Sequence, residues 1–412
     1  MSTDLLSLFS LFCVLVLPYA LWRLGGLGSI VPCAVVQICL GIALGPAGLG
    51  RVAPGLEALL FPAAVRSRVD GLAAFAILFF ALITGLHLDL SHYRGRVRSF
   101  LLVGVGSVAV PFVLAAGAAA WIWLSFPSVR TPAGGIPFIA ATAIALSVTA
   151  LPVLGAILSE LDLTGAPIGH WSLGLAAMND AALWLLVGLL LAVYGHSETS
   201  LGEQALRVSA GAVYLAAMFG FVQPALGRLL HGREIAADTL LVLVTAFALA
   251  SAAATEFAGL HYLLGAFVAG GVLPASVRAR VLSRIEHATV FLLTPFFFLA
   301  SGFKVTFDSA GEGLWQIVLV TTLATVAGKY LGTTLPARMA GLTWRDGAAL
   351  GSLMQAKGMM ELAVLAILHE AGLIPGLMFS ALTVMAVVTT TLAMPATRLL
   401  LGTRQPAAAP SR

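Results

Sequence analysis

The residues best suited to chemistry in this sequence are ionisable and amide side chains set in apolar segments. Asn179 and Asp180 stand side by side within AAMNDAALW, and Lys329 lies within ATVAGKYLG. A carboxyl group in such surroundings can hold a proton or a desolvated monovalent cation, but not comfortably both. The pattern predicts an ion- and proton-binding site in which Asp180 is the metal-ion ligand.

Two further apolar segments carry polar or helix-breaking residues in their middle. ATAIALSVTALPVLGAIL contains Ser147 and Thr149 ahead of Pro152, which lacks a backbone donor and interrupts the helical hydrogen-bond ladder. LGSLMQAKGMMELAVLAIL contains Lys357 and Glu361, which are four residues apart and therefore share one helical face. Freed backbone groups at membrane depth are tolerated only inside protein or beside a watery cavity. We therefore predict two broken helices.

Each of these side chains also has a structural interpretation. Instead of carrying ions, Asp180 could be a structural carboxylate that is paired permanently with a basic neighbour. A lone Asn179 would more often form a hydrogen bond that packs two helices together. An ion pair between Lys329 and Asp180 would reduce the burial cost of both charges, whereas snorkelling of the lysine is the alternative. Lys357 and Glu361 are interpreted as a neutralised pair that offsets the partial charges of half-helix ends.

Membrane-spanning helices must position these residues. The chain of 412 residues is 60% hydrophobic and only 10% charged, which excludes an ordinary water-soluble globule. It offers about thirteen apolar windows of bilayer-spanning length, and no alternating ten-residue segments typical of a membrane barrel. The expected spans are 5–22, 29–49, 70–88, 99–125, 134–158, 166–194, 204–228, 237–256, 259–274, 286–303, 313–337, 347–369 and 374–400.

The two interrupted segments are the fifth and the twelfth spans. Because five and twelve differ by an odd number, spans one to six and eight to thirteen are expected to be repeats of opposite orientation, joined by span seven. Many secondary transporters follow this plan and bind their substrates at paired broken helices near the midplane. The predicted fold class is an all-α polytopic membrane protein with inverted-topology repeats.

The loops predict the orientation of the chain. Arginines such as Arg94, Arg228 and Arg278 concentrate in alternate loops, which places the N-terminus outside and the C-terminus in the cytoplasm. The first span follows Asp4 rather than a basic cluster and lacks a small-residue cleavage site, so we expect a retained helix. The net charge of +4 is explained by this topology, and no nucleic-acid partner is expected.

Motifs of enzymatic chemistry are missing from the sequence. HEAGL begins at His369 but has Leu373 where a second histidine would complete H-E-x-x-H, and neither a G-x-S-x-G elbow nor a Walker loop occurs. We therefore expect no enzymatic activity and no cofactor. Cys13, Cys33 and Cys39 lack C-x-x-C spacing and are interpreted as small buried hydrophobes.

A series of motifs along almost the whole chain resembles the monovalent cation:proton antiporters, in the branch of Kef-type proteins, sodium/proton exchangers and plant cation/proton exchangers. The motifs are, in order, GIALGPAGLG, ALITGLHLDL, ALSVTALPVLGAILSELDLTGAPIG, AAMNDAALW, GLHYLLGAFVAGGVLP, TPFFFLASGFKV, AGKYLG and MQAKGMMELAVLAIL. Each motif is modest alone, but their order along the chain is specific to the family.

The resemblance implies a homodimer with the sodium/proton antiporter fold, in which a core moves against a dimerisation domain. It implies that Asp180 carries both ions, that Lys329 is its partner, and that the polar stretch around Thr149, which includes Ser147, helps to coordinate the cation. The expected divisions are 1–97 (dimerisation, helices one to three), 98–195 (core, four to six), 203–232 (linker helix seven), 237–304 (dimerisation, eight to ten), 313–400 (core, eleven to thirteen) and 401–412 (disordered cytoplasmic tail).

One position departs from the family pattern. Many electrogenic members carry two aspartates where this chain has Asn179 and Asp180, so a single carboxylate predicts electroneutral exchange of one cation for one proton, unless Lys329 also releases a proton. The predicted activity is exchange of Na+ or K+ for H+ across a bacterial inner membrane by alternating access. A gated cation efflux pathway is the alternative, and a sodium-coupled solute symporter is a weaker one.

Overall fold

The computed structural model describes residues 3–27, 31–87, 97–195, 201–230, 232, 235–307 and 313–402. Within these ranges all the regular secondary structure is helical. The predicted disordered tail lies outside the described residues from position 403 onward, as does the loop that contains Arg94.

Thirteen helical spans follow one another through the described chain and correspond in order to the thirteen expected windows. Nine of these spans are each a single uninterrupted α-helix: α1 Thr3–Leu24, α2 Cys33–Leu44, α3 Ala63–Leu86, α4 Val97–Ser125, α6 Pro167–Tyr194, α8 Ala237–Phe257, α9 Tyr262–Val272, α11 Leu314–Met339 and α13 Gly376–Leu401. Two more contain a π-helical turn: α7 is Leu201–Ala217, Met218–Val222 and Gln223–Leu230, and α10 is Ala275–Ala288, Thr289–Leu293 and Thr294–Phe303.

Most described spans can cross a bilayer on their own. By length and composition, nine of the described spans are long and apolar enough to do so, and for α2 the span counted is Cys33–Val52, which includes the short helix Leu49–Val52. The other spans are α1, the short α9 and the two broken ones. The expected windows are longer than α2 and α9, because Pro32 and Pro46 flank α2, and α9 stops ahead of Pro274. Proline disfavours helical backbone in the residue before it.

The fifth and twelfth spans are both broken, as predicted. The first consists of α5a (Gly135–Ser147) and α5b (Leu151–Glu160), and the second of α12a (Trp344–Leu353) and α12b (Met359–Glu370). Pro152 lies in the first turn of α5b, where the backbone N–H groups have no intrahelical partner. The proline therefore starts a second helix instead of kinking a continuous one.

The two breaks cross and are joined by hydrogen bonds. The N–H of Ala150 donates to the carbonyl of Ala356 at 2.8 Å, and the hydroxyl of Thr149 donates to the carbonyl of Met354 at 2.7 Å. An added Cβ on Gly358 would overlap the first turn of α5b. The overlap would be with the Val153 side chain, at 2.3 Å from its Cγ2, so a larger residue at position 358 would require that side chain to shift.

Helix packing repeats with a shift of seven spans. The α2–α10 contact corresponds to the α9–α3 contact, and the α1–α2 contact corresponds to the α8–α9 contact. In the same way, the contact of α4 with α5a corresponds to that of α11 with α12a. Replacing each helix by its counterpart seven positions away therefore maps one set of contacts onto the other. Because the shift is odd, counterparts run in opposite directions, which is the arrangement of an inverted repeat.

The spans also divide into two packing groups. α4, α5, α6, α11, α12 and α13 pack mainly on one another, and we call them the crossing group. α2, α3, α8, α9 and α10 form a second group, the outer group. The core and dimerisation domains expected from the sequence stay a prediction. Motion of one group against the other stays a prediction.

Small residues bring α4 and α11 together within the crossing group. Gly106 faces Gly332, and Pro111 faces Gly328, on which an added Cβ would lie 2.6 Å from the proline Cα. Glycines allow two helix backbones to approach closely inside a membrane. The contact holds Lys329, the neighbour of Gly328, against the middle of α4.

We expect Gly328→Ala to lower the thermal unfolding midpoint in detergent, because overpacking a tight contact costs about 1–3 kcal/mol. Gly117→Ala is the matched control on α4, since no atom lies within 4 Å of the added Cβ. Alanine is favoured over glycine inside a helix by about 1 kcal/mol, so the control should not lower the midpoint. Equal midpoints for the two variants would contradict the described α4–α11 contact.

Candidate ion-binding site

Asp180 lies in α6 as a fully buried carboxylate without a hydrogen-bond partner. Its side chain is 0% exposed, and neither carboxylate oxygen has a partner among the described residues. The N–H of Leu151, at the start of α5b, faces the carboxylate without meeting the geometry of a standard hydrogen bond. Since a buried charge must be paired or neutralised, the carboxylate has open positions for a proton or a cation.

Asn179 lies in a chain of side-chain hydrogen bonds. Ser107 donates to its Oδ1 at 3.0 Å, and its Nδ2 donates to the hydroxyl oxygen of Thr149 at 3.3 Å. The single hydroxyl proton of Thr149 is used on Met354 O, so that oxygen must accept from the amide. This fixes the amide with its carbonyl oxygen toward Ser107.

Ser147 enters the site through its backbone. Its hydroxyl donates to the carbonyl of Ile144 in its own helix at 2.9 Å, whereas its carbonyl oxygen accepts from the Lys329 ammonium at 2.6 Å. In this conformation the hydroxyl is therefore satisfied within α5a. Coordination of a cation by that hydroxyl stays a prediction.

Lys329 is fully buried and is held by backbone carbonyls. Its Nζ donates to Ser107 O at 3.0 Å and to Ser147 O at 2.6 Å. No hydrogen bond joins the ammonium to Asp180 in this conformation, although the two charges are close enough to interact, and their ion pair stays a prediction. The partial negative charge at the end of α5a satisfies the ammonium instead. Complete burial also excludes the snorkelling alternative here.

Lys357 and Glu361 come together as their spacing predicts. Lys357 Nζ lies 3.3 Å from Glu361 Oε1, and both side chains are almost fully buried. The same ammonium donates to Leu146 O at 2.9 Å and to Ala145 O at 3.3 Å. Both buried lysines therefore sit on the last carbonyls of α5a, where a positive charge complements the helix dipole.

The charges of the crossing group balance when all four buried ionisable side chains are charged. Asp180 and Glu361 are acidic, Lys329 and Lys357 are basic, and each is at most 2% exposed. The lysines meet the negative end of α5a, while Asp180 faces the positive end of α5b. Addition of either one proton or one monovalent cation gives the cluster the same net charge of about +1.

Ser107 was not predicted from the sequence, yet it contacts both Asn179 and Lys329. A lone serine in an apolar helix is a weak signal by itself. The stronger signal is Pro111, four residues later in the same helix, because a proline leaves the carbonyl four residues before it without its helical donor.

Other ionisable residues belong to helix ends. Glu256 accepts the N–H of Tyr262 at 3.0 Å, and His261 caps α9 by accepting the N–H of Leu263 at 3.4 Å. Burial lowers the pKa of His261 to about 4, despite the opposing effect of the Glu370 carboxylate. His261 is therefore neutral near pH 7 and serves as a cap rather than as a proton carrier.

Comparison with known proteins assigns the family. Residues 9–401 match the family described as sodium/hydrogen exchanger, transmembrane. The chain belongs to this family. Among relatives of this exchanger-family chain, the Cation/H(+) antiporter 19 of Arabidopsis thaliana is 32% identical over 380 residues, which cover 90% of this chain and 46% of the plant protein. The chain thus spans less than half the length of that relative.

Two further similarities extend over most of both proteins. The Na(+)/H(+) antiporter NhaS4 of Synechocystis sp. is 29% identical over 381 residues, covering 88% of the exchanger-family chain and 90% of the relative. The solved structure of the sodium proton antiporter MjNhaP1 from Methanocaldococcus jannaschii aligns with a TM-score of 0.72 and 16% identity, covering 96% of this chain and 98% of the other. At that identity the match shows the fold alone.

Thr149→Val is expected to destabilise the exchanger-family chain and to weaken cation binding. It leaves the Asn179 amide and the Met354 carbonyl unpaired, and each buried unpaired group costs about 1–3 kcal/mol. Thr149→Ser keeps the hydroxyl and should retain most of both properties. The measurements are the thermal unfolding midpoint and its shift on addition of Na+ or K+.

Thr383→Val provides the matched control, because the Thr383 hydroxyl donates only to Phe379 O of its own helix at 2.9 Å. That variant should lose less stability than Thr149→Val and should keep the cation-induced shift. Equal losses of the shift in both variants would contradict a role for Thr149 in the site.

Proposed function

We propose that this protein exchanges a monovalent cation, Na+ or K+, for H+ across the membrane by alternating access. The observation that carries this proposal is the buried Asp180 carboxylate without a hydrogen-bond partner, beside the crossing of two broken helices. Membership of the sodium/hydrogen exchanger family supports the class of reaction. The relatives named above as Na(+)/H(+) and cation/H(+) antiporters support the same pair of substrates.

In the proposed cycle, a proton and a cation occupy Asp180 in turn. Protonated Asp180 releases its proton on one side and then accepts a dehydrated cation. Asn179 Oδ1 and Thr149 Oγ1 each keep a lone pair beyond the hydrogen bonds described above, so both can add to the coordination. Release of the cation on the other side returns the site to the proton.

The balance of buried charges supports electroneutral exchange. Because Asn179 replaces a second acid, a single carboxylate takes up the passenger, and both loaded forms carry the same charge. The exchange of one for the other moves no net charge across the membrane. The empty form crosses slowly, since its unpaired carboxylate would have to pass a low-dielectric barrier.

Alternating access requires the crossing group to move against the outer group. One polar contact that bridges them is the ion pair of Lys304, at the end of α10, with Glu370, at the end of α12b, 3.0 Å apart. The two side chains are 39% and 68% exposed, and pairs of this kind contribute about 0–1 kcal/mol. Such a contact is too weak to lock the two groups together.

The proposal includes the arrangement in the membrane. We infer an N-terminus outside and a cytoplasmic C-terminus in a bacterial inner membrane, supported by the arginines at the start of α10 and in alternate loops. We also infer a homodimer, supported by the family resemblance. The lipid bilayer, the cation and the proton are the further partners of this arrangement.

Asp180→Asn should abolish exchange in proteoliposomes, because an amide neither takes up a proton in this range nor pairs with the cation as a carboxylate does. The assay follows luminal pH after an imposed gradient of Na+, K+, Li+ or Rb+, with the membrane voltage clamped and unclamped. Asp238→Asn is the matched control, since that carboxylate side chain is 96% exposed. The initial rate should not depend on voltage.

Other outcomes identify the alternatives. Cation flux without coupled proton movement would indicate a channel, and dependence on an organic solute would indicate a symporter. If the Asp180→Asn variant exchanged ions at the wild-type rate, Asp180 would be excluded as the ion carrier.

A further inference from the structure

We propose that Ser107 and Pro111 of α4 form a positioning unit that holds Asn179 and Lys329 in the geometry needed for cation binding. The proposal rests on the exchange function proposed above. Ser107 is fully buried and has not been given a role by the sequence patterns. It touches neither carboxylate oxygen of Asp180, so it acts through its two neighbours.

Pro111 provides the backbone part of the unit. In a continuous α-helix the carbonyl of residue 107 would accept the N–H of residue 111. Pro111 lies inside α4 and has no N–H, so the Ser107 carbonyl has no helical donor. Lys329 Nζ occupies that position at 3.0 Å. Because an unpaired buried carbonyl is costly, the proline creates a directed acceptor for a buried ammonium.

The Ser107 hydroxyl provides the side-chain part. It lies 3.0 Å from Asn179 Oδ1 and 2.8 Å from the carbonyl of Gly104, yet it has only one proton to donate. When a cation approaches Asn179 Oδ1, the hydroxyl can turn to Gly104 and remain satisfied. In the empty site the Ser107 hydroxyl therefore orients the Asn179 amide. When the cation binds, the hydroxyl still has a hydrogen-bond acceptor.

Packing keeps the unit in register with its two partners. Gly328 lies against Pro111 and fixes the height of the adjacent Lys329 along α4. On the other side, the Met178 side chain fills the space above Gly104, where a Cβ would overlap it, so α6 packs on α4 beside Asn179. The same part of α4 therefore contacts groups on both α6 and α11.

The hydroxyl is tested with Ser107→Ala in full-length protein in proteoliposomes. Loss of one oriented hydrogen bond should raise the apparent KM for the cation about five- to tenfold, with the maximal rate within about twofold of wild type. Ser172→Ala is the control, because that hydroxyl donates only to Ile168 O in its own helix, and its KM should be unchanged. An unchanged KM for Ser107→Ala beside an active wild type would overturn the proposal.

The proline is tested with Pro111→Ala, which supplies a backbone N–H that competes with Lys329 for the Ser107 carbonyl. A proline with a merely structural role would give a more stable and equally active variant, since alanine is far better in a helix. We expect the unfolding midpoint to stay level or rise while exchange falls about fivefold or more. Pro18→Ala, inside α1, should leave exchange intact. A fully active Pro111→Ala would contradict the backbone role.

A double-mutant cycle separates this inference from the exchange function. If Ser107 acts through Asn179, the change in unfolding midpoint caused by Ser107→Ala should shrink in an Asn179→Ala background. That readout needs no transport. If the wild-type protein fails to exchange ions, the proposed exchange function is wrong, while the coupling between the two mutations still tests whether Ser107 acts through Asn179. If exchange is normal but the two mutations are additive, the unit is wrong while the function stands.

Discussion

The rest of the site depends on how the last carbonyls of α5a hold both buried lysines. Lys357 binds the carbonyls of Ala145 and Leu146, and Lys329 binds that of Ser147. Helix ends carry partial charges that can neutralise an ammonium without a formal counter-ion. As a consequence, neither lysine forms a hydrogen bond with Asp180, and its carboxylate stays open for a passenger.

That interaction explains why two helices are broken. In a continuous α5, the carbonyls in the middle of the helix would accept hydrogen bonds from its own N–H groups. No free carbonyl acceptors would then remain there for the lysines. The break frees the carbonyls of α5a on one side and the N–H groups of α5b on the other. The second break, in α12, lets residues 354–358 cross the first and tie the two together through Thr149 and Ala150. The inverted repeat brings both breaks to one place.

The parts of this arrangement with local signals could be predicted from the sequence. Polar residues in apolar segments drew attention to Asp180, which is fully buried, and Pro152 predicted the first break. The four-residue spacing predicted the Lys357–Glu361 pair, which lies 3.3 Å apart. The spans and their repeat followed from apolar length and an odd shift, although α2 and α9 are shorter than expected because prolines bound them.

Contacts made by backbone carbonyls could not be predicted in this way. Lys329 was expected to pair with Asp180 because charge is visible in a sequence, whereas a carbonyl freed by a helix end or by Pro111 is not. Ser107 was missed for the same reason. Its contact depends on the approach of α4 to α11 through glycines, which only the tertiary structure shows.

The most direct test of the central claim is the number of protons released when a cation binds. Calorimetric titration of the purified protein with Na+ or K+, in buffers of different ionisation enthalpy, measures that number. If a proton and a cation exclude each other on Asp180, about one proton should leave per cation bound below the pH at which Asp180 ionises, and Asp180→Asn should release none. Cation binding to the wild type with no proton release at any pH would contradict the account.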